Sequence, residues 1–259
     1  QNERSRLRDH VFPYIGDVRL DRPVETRDII ILINKLRTAT DLAPKTILNI
    51  YALLRGVFRE ALVLGLIKYN PCILTKHQLP LSEDKDPAWR ATAIYSREEL
   101  MMLISDERIP WDRQVHYALQ GIAALRHGEA AGLRWKQYNT DEEPLGKLTI
   151  VTSYDKGRTK TRQTRCVPVH PVLASILNEW KLRGWVEMMG RQPCPEDLVV
   201  PMPASERIKL GEMRSKTRSY KRLSKDLQAF GLRHRRGHDL RRTLTSLAIS
   251  DGANKDLLE

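Results

Sequence analysis

Apolar residues first fall into helical spacing between Val24 and Ile67. In "VETRDIIILINKLRTA" (24–39), Ile29, Ile30, Ile33 and Leu36 recur at the spacing of one helix face, with Thr26 as the expected N-cap. "DLAPKTILNIYALLRGVFREALVLGLI" (41–67) predicts a longer helix opened by Pro44, whose fixed φ suits a first turn. Ile47, Ile50, Leu54, Val57, Phe58 and Ala61 form its apolar side, and Lys45, Asn49, Arg55 and Arg59 fall together opposite. Asn70-Pro71 ends the run.

The periodicity then lapses. "LPLSEDKDPAWRATA" (79–93) has two prolines, a charge cluster and no apolar repeat, so it reads as a linker. A helix restarts at Ser96, where Ser and Glu99 match a capping box. Residues 111–135 predict a helix to about Leu125 and a second helical stretch with Leu133 and Trp135 facing inward. Runs 148–154 and 164–169 predict two strands, and "DKGRTKTRQ" between them predicts a basic hairpin tip. Residues 171–185 and 211–232 predict further helices, the latter with Met213, Tyr220, Leu223 and Leu227 as apolar positions, and a last helix follows "RRGHDLRRT". The pattern implies a mainly α protein with a small β-sheet (α+β), divided into a helical domain (1–79), a linker (80–95) and a larger mixed domain (96–259).

Composition narrows the classes. The 259 residues are 41% hydrophobic and 29% charged, enough apolar content for a core, with no run that would span a membrane. Three cysteines (Cys72, Cys166, Cys194) lack metal-ligand or disulfide spacing, so neither a zinc site nor a disulfide framework is expected. The net charge is +12. Its basic excess sits in residues 1–80 and 155–259, around a slightly acidic middle, as a footprint for a polyanion would be. The stripe of Lys45, Asn49, Arg55 and Arg59 is either a solvated face or a surface laid against phosphates.

Four strings, in order, carry candidate chemistry: "ALRHGEAAGLRW" with Arg126 and Glu129, the hairpin "TKTRQTRCVP" with Lys160, "GHDLRRT" with His238 and Arg241, and the terminal "GANKDLLE". Taken singly, each residue has an ordinary reading. Arg126 is an i,i+3 partner for Glu129, and His238 caps a helix or faces solvent. Lys156, Arg158 and Arg162 compete with Lys160, and Arg242 points to the backbone of a polyanion or to solvent.

Together the strings resemble the tyrosine recombinase (phage integrase) family. "ALRHGEAAGLRW" is similar to its first box, "HDLRRT" to its second, and "KTRQTRCVP" to its hairpin box. "APKTILNIYALLRGVFREALVLGLIKYNPC" is similar to the last helices of its core-binding domain. The resemblance implies a SAM-like DNA-binding domain, incomplete at its start, joined to a mixed α/β catalytic domain. It implies a site-specific recombinase or integrase, from a phage or mobile element, that cuts and rejoins DNA through a 3′-phosphotyrosyl intermediate without metal, ATP or other cofactor. Arg126 and Arg241 then clamp the scissile phosphate, because a planar guanidinium meets two phosphate oxygens at once and stays ionised. Glu129 supports them. His238 donates to a non-bridging oxygen or shuttles a proton, and Lys160 protonates the leaving 5′ oxygen. The expected partners are double-stranded DNA and, on it, three further copies of the chain. The free protein is expected as a monomer, cytoplasmic and nucleoid-associated, without a membrane partner.

The family's nucleophile is a Tyr beyond the second box, and the eight tyrosines here all precede it. The expectation is therefore a fragment, also lacking an initiating Met, that binds DNA but does not cleave it. A non-catalytic DNA-binding regulator or degenerate integrase, and a type IB topoisomerase, are the alternative readings.

Overall fold

The computed structural model describes residues 3–16, 18, 23–81, 93–142, 145–154 and 164–254. The chain divides into two compact units, Gln1–Pro87 and Ala88–Glu259. In the first, α1 (Glu3–His10), α2 (Phe12–Ile15), α3 (Thr26–Thr38) and α4 (Pro44–Val63) enclose a small core. Ile29, Leu32, Ile33 and Leu36 of α3 meet Ile47, Ile50, Tyr51 and Leu54 of α4, and Val11 and Cys72 close the ends. Two details differ from the sequence pattern. Glu25, rather than Thr26, is the N-cap of α3, and Asp28 accepts its backbone N–H at 3.0 Å. The apolar face of α4 is narrower than its composition suggests: Val57 is 45% exposed, whereas its neighbour Phe58 packs against the core. Asn70 fastens that turn, accepting from the Cys72 N–H at 2.8 Å and donating to the Arg55 carbonyl at 3.0 Å.

The second unit contains α5 (Arg97–Ser105), α6 (Trp111–Gly121) and α7 (His127–Gly132), then strands β1 (Tyr138–Asn139), β2 (Lys147–Ile150) and β3 (Arg165–Pro168). Helices α8 (Pro171–Glu179), α9 (Trp185–Met189), α10 (Lys216–Ala229) and α11 (Gly237–Ser250) complete it. A π turn at Trp180–Gly184 joins α8 to α9. The sheet is antiparallel in the order β1-β2-β3, with Ile150 opposite Arg165 and Leu148 opposite Val167. The Ser96 capping box forms: Ser96 Oγ accepts from the Glu99 N–H at 3.2 Å and Glu99 accepts from the Ser96 N–H at 2.8 Å.

The core of this unit is built around α6. Leu119 and Val115 of α6 are fully buried with Leu103, Leu125, Leu148, Leu177, Trp180, Trp185 and Leu240. Both tryptophans keep their indole N–H bonded, Trp180 to the Val199 carbonyl at 2.7 Å and Trp185 to the Leu198 carbonyl at 3.0 Å. Helix α10 starts later than its composition suggests, at Lys216, with Ser215 as its cap, so Met213 lies before it. Tyr220 is 41% exposed, whereas Leu223 and Leu227 are buried. Helix α11 packs along α6, which brings the second-box residues beside the start of α7.

Candidate functional site

The chain leaves α6 through Ala124, whose φ of 50° is uncommon for a residue with a Cβ. That reversal places Arg126 immediately before α7, with Glu129 in the helix's first turn. Glu129 is 1% exposed, yet its carboxylate is heavily partnered. Arg126 donates its backbone N–H to Oε2 at 2.8 Å and its guanidinium to Oε1 at 2.7 Å. Arg165 donates to Oε2 from β3 at 2.7 Å. Arg241 Nη1 of α11 lies 3.7 Å from the same Oε2. Burial alone would favour the neutral acid. The hydrogen bonds from Arg126 and Arg165 outweigh it and hold the Glu129 pKa below the usual carboxylate value. Three guanidiniums from three elements therefore surround one ionised carboxylate.

Arg126 and Arg241 open onto a cleft of about 780 Å³, also lined by His238, Lys216, Tyr220 and Arg236. Arg241 Nη1 is shielded from solvent and makes no hydrogen bond among the described residues. Its pKa is lowered, first by burial and then by the charges of Arg126 and Arg165, with Glu129 opposing. His238 sits one turn before Arg241 and faces the same cleft. What burial it has, and then Arg241 and Arg242, keep its pKa below the ordinary imidazole value, against Asp239. Near neutral pH it is an uncharged ring with one N–H to give. Asp239 accepts the Arg236 N–H at 2.8 Å and so caps α11, which fixes where both side chains emerge.

The other sequence-derived positions are distributed as follows. Lys156, Arg158, Lys160 and Arg162 lie outside the described residues. Arg242 is partly buried and stands 4.0 Å from Asp239. Lys45, Arg55 and Arg59 are exposed on α4 and Asn49 is partly buried there, in the first unit. Among the described residues no three His, Cys, Asp or Glu side chains gather as a metal site would require.

The structure adds residues that spacing alone did not single out. Arg165 had a signal, the R of "RCVP" in the hairpin string. His116 and His127 had none. Their rings meet edge to face at 5.0 Å in the inner wall of the cleft. His116 is 1% exposed and both of its ring nitrogens lack a partner among the described residues. His127 Nδ1 pairs with the Tyr154 hydroxyl at 2.9 Å. Burial, then the Arg214 and Lys216 charges, pushes the His127 pKa down to about 4. Tyr154 has a φ of 56° and donates its backbone N–H to the Gly128 carbonyl at 2.8 Å. It can lie that close because Gly128 and Gly132 present no Cβ; a Cβ on Gly128 would stand 2.7 Å from the Tyr154 ring.

No protein-family model matches the sequence, and the search of curated proteins gives no match. Solved structures do match. The Tn1549 transposon integrase in complex with transposon right end DNA superposes with a TM-score of 0.73 at 17% identity, over 99% of this chain and 82% of that one. A lambda integrase tetramer bound to a Holliday junction gives 0.67 at 18% identity, over 98% and 65%. The XerH site-specific recombinase bound to its difH substrate gives 0.60 at 16% identity, over 91% and 62%. The chain has the tyrosine recombinase fold.

Proposed function

We propose that this chain is the DNA-binding and phosphate-activating part of a tyrosine recombinase, a site-specific DNA integrase or recombinase. The observation that carries the reading is the convergence of Arg126 and Arg241 on buried Glu129, at the edge of a cleft that His238 also faces. Glu129 neutralises one charge and orients the guanidiniums. Arg126 and Arg241 remain to bind the non-bridging oxygens of one backbone phosphate, where negative charge builds up as a fifth oxygen approaches phosphorus. His238 donates to one of those oxygens. Lys160 gives a proton to the 5′ oxygen as its bond to phosphorus breaks, and the new bond joins phosphorus to a tyrosine oxygen, whose proton passes to the unprotonated ring nitrogen of His238. Attack by a 5′ hydroxyl on that phosphotyrosine reverses each transfer, so no external energy source is consumed.

The first unit is the core-binding domain in this reading. Lys45, Arg55 and Arg59 on its exposed helix face contact the phosphate backbone, with Asn49 beside them, and Lys156, Arg158, Arg162 and Arg242 do the same from the second unit. Four copies assemble on two DNA sites, and the free chain is monomeric. The protein acts on the DNA of a mobile element in a bacterial cytoplasm.

The polypeptide of this sequence binds duplex DNA, with log K falling steeply against log salt. On a nicked suicide substrate it gives no covalent adduct, because its tyrosines all precede His238. A flat salt dependence would overturn the DNA-binding reading. A stable adduct would overturn the assignment of the nucleophile and would also end the second reading, a DNA-binding regulator without strand transfer.

A further inference from the structure

Glu129 Oε2 is crowded in a way that the phosphate reading does not require. A carboxylate oxygen has two lone-pair sites. The Arg126 backbone N–H takes one at 2.8 Å and Arg165 Nη2 takes the other at 2.7 Å. Arg241 approaches the same atom and stops at 3.7 Å, beyond a hydrogen bond. Its Nη1 therefore stays unbonded, although a buried carboxylate is the strongest acceptor nearby. Arg165 arrives from the opposite element. It occupies the last-strand position paired with buried Ile150, and Val167, two residues on along the same strand face, packs against the core.

We infer that Arg165 is a positioning residue: by filling Oε2 of Glu129 it keeps Arg241 from closing onto that carboxylate and leaves the Arg241 guanidinium for the anion in the cleft. It contributes in a second way. Glu129 offsets one positive charge, and Arg165 offsets Glu129, so Arg126 and Arg241 keep their full attraction for a phosphate. Without Arg165, Arg241 moves in to make a direct, charge-assisted bond with Oε2, and a phosphate must break that bond before it binds. The inference rests on the phosphate-binding reading above. It concerns the availability of Arg241 and requires no contact between Arg165 and the ligand.

The test is a double-mutant cycle on binding of a labelled mixed-sequence duplex, with thermal melting of every variant to confirm folding. Arg126→Ala is the control for the site itself. If it leaves affinity unchanged, the phosphate reading fails, whatever Arg165 does. With that control positive, Arg165→Met, which retains the apolar stem, weakens binding roughly tenfold. In a Glu129→Gln background the same substitution changes affinity by less than about twofold, since a neutral amide no longer captures Arg241. Two results overturn the inference: an Arg165→Met protein that binds like the wild type, or one whose loss is equally large in the Glu129→Gln background, which would mean direct contact with DNA. If Arg165→Met alone does not fold, Glu129→Gln/Arg165→Met against Glu129→Gln decides: equal affinities support the inference, and a weaker double variant overturns it. The Arg241 side-chain 15Nε resonance gives a readout that a merely structural role leaves still. It shifts in Arg165→Met and returns in the double variant.

Discussion

Arg241 Nη1 stands 3.7 Å from Glu129 Oε2, close enough to feel the charge and too far to share a hydrogen bond. One residue comes from α11 and the other from the first turn of α7, so helix packing brings the two side by side. A guanidinium held this way is ready for an incoming oxyanion.

That readiness predicts how binding responds to substitution. Arg241→Ala and Arg126→Ala each weaken duplex binding, and each lowers the slope of log K against log salt by up to about one, because each removes a cation from the one phosphate they share. Fluorescence anisotropy across a salt series measures both quantities. An unchanged slope for both variants counts against contact with phosphate.

Glu129 is also a stability element. Glu129→Ala leaves Arg126, Arg165 and Arg241 facing one another around an empty buried position. The expected cost is about 3 kcal/mol, within the range for removing one partner of a buried ion pair. Glu129→Gln keeps the shape and one acceptor oxygen and costs less. Urea unfolding of the two variants, compared at one pH, gives the difference.

Gly128 makes room for Tyr154. A Cβ there would lie 2.4 Å from Ser153 Oγ and 2.7 Å from the Tyr154 ring. Gly128→Ala forces the ring off α7 and costs roughly 1–3 kcal/mol, as overpacking does. Loss of the hydrogen bond between Tyr154 and His127 accompanies it, and tyrosine fluorescence together with urea unfolding reports both.

Acid should weaken the second unit well before carboxylates titrate. His127 has a pKa of about 4 when folded, and His116 is lowered as well, first by its burial and then by Arg214 and His127. Unfolded, each takes a proton near pH 6.5. Between those values the unfolded chain binds more protons than the folded one, so stability is full above pH 6.5 and falls as pH drops toward 4. The slope is about 1.4 kcal/mol per pH unit for each histidine. His127→Gln flattens this part of the profile. Urea midpoints from pH 7 to pH 5 test it, and a wild-type midpoint that does not move in that window would contradict it.

Thr243, the last residue of "HDLRRT", is fully buried and serves the fold. Its hydroxyl accepts the Tyr95 N–H at 2.9 Å and donates to the Asp239 carbonyl at 2.9 Å. Thr243→Val is nearly isosteric and leaves the Tyr95 N–H unsatisfied, at a cost of about 1–3 kcal/mol. Calorimetric melting shows the loss, and the duplex affinity of the folded variant stays near that of the wild type.

Much of this molecule is written locally. The three- and four-residue spacing of Ile29, Ile33 and Leu36, Pro44 at a first turn, and the Ser96/Glu99 box each depend on neighbours within one or two turns, so pattern alone defines those helices. The strings around Arg126 and His238 were legible for the same reason, each being a short run on one element. Exact ends were less so: Glu25 caps α3 because Asp28 reaches back to its N–H, and α10 waits for Ser215.

The sequence by itself determined where the strongly periodic helices α3, α4, α5 and α6 run, which segments are basic, and the order in which the chemical strings appear. Only the tertiary structure decided that Arg165 from a strand, and not Arg241, completes Oε2 of Glu129, and that His116 and His127 face each other inside the cleft wall. Periodicity records which side of an element is apolar. A hydrogen bond depends on tenths of an ångström between elements far apart in the chain, and those distances exist only once α6, α7, α11 and β3 are packed together.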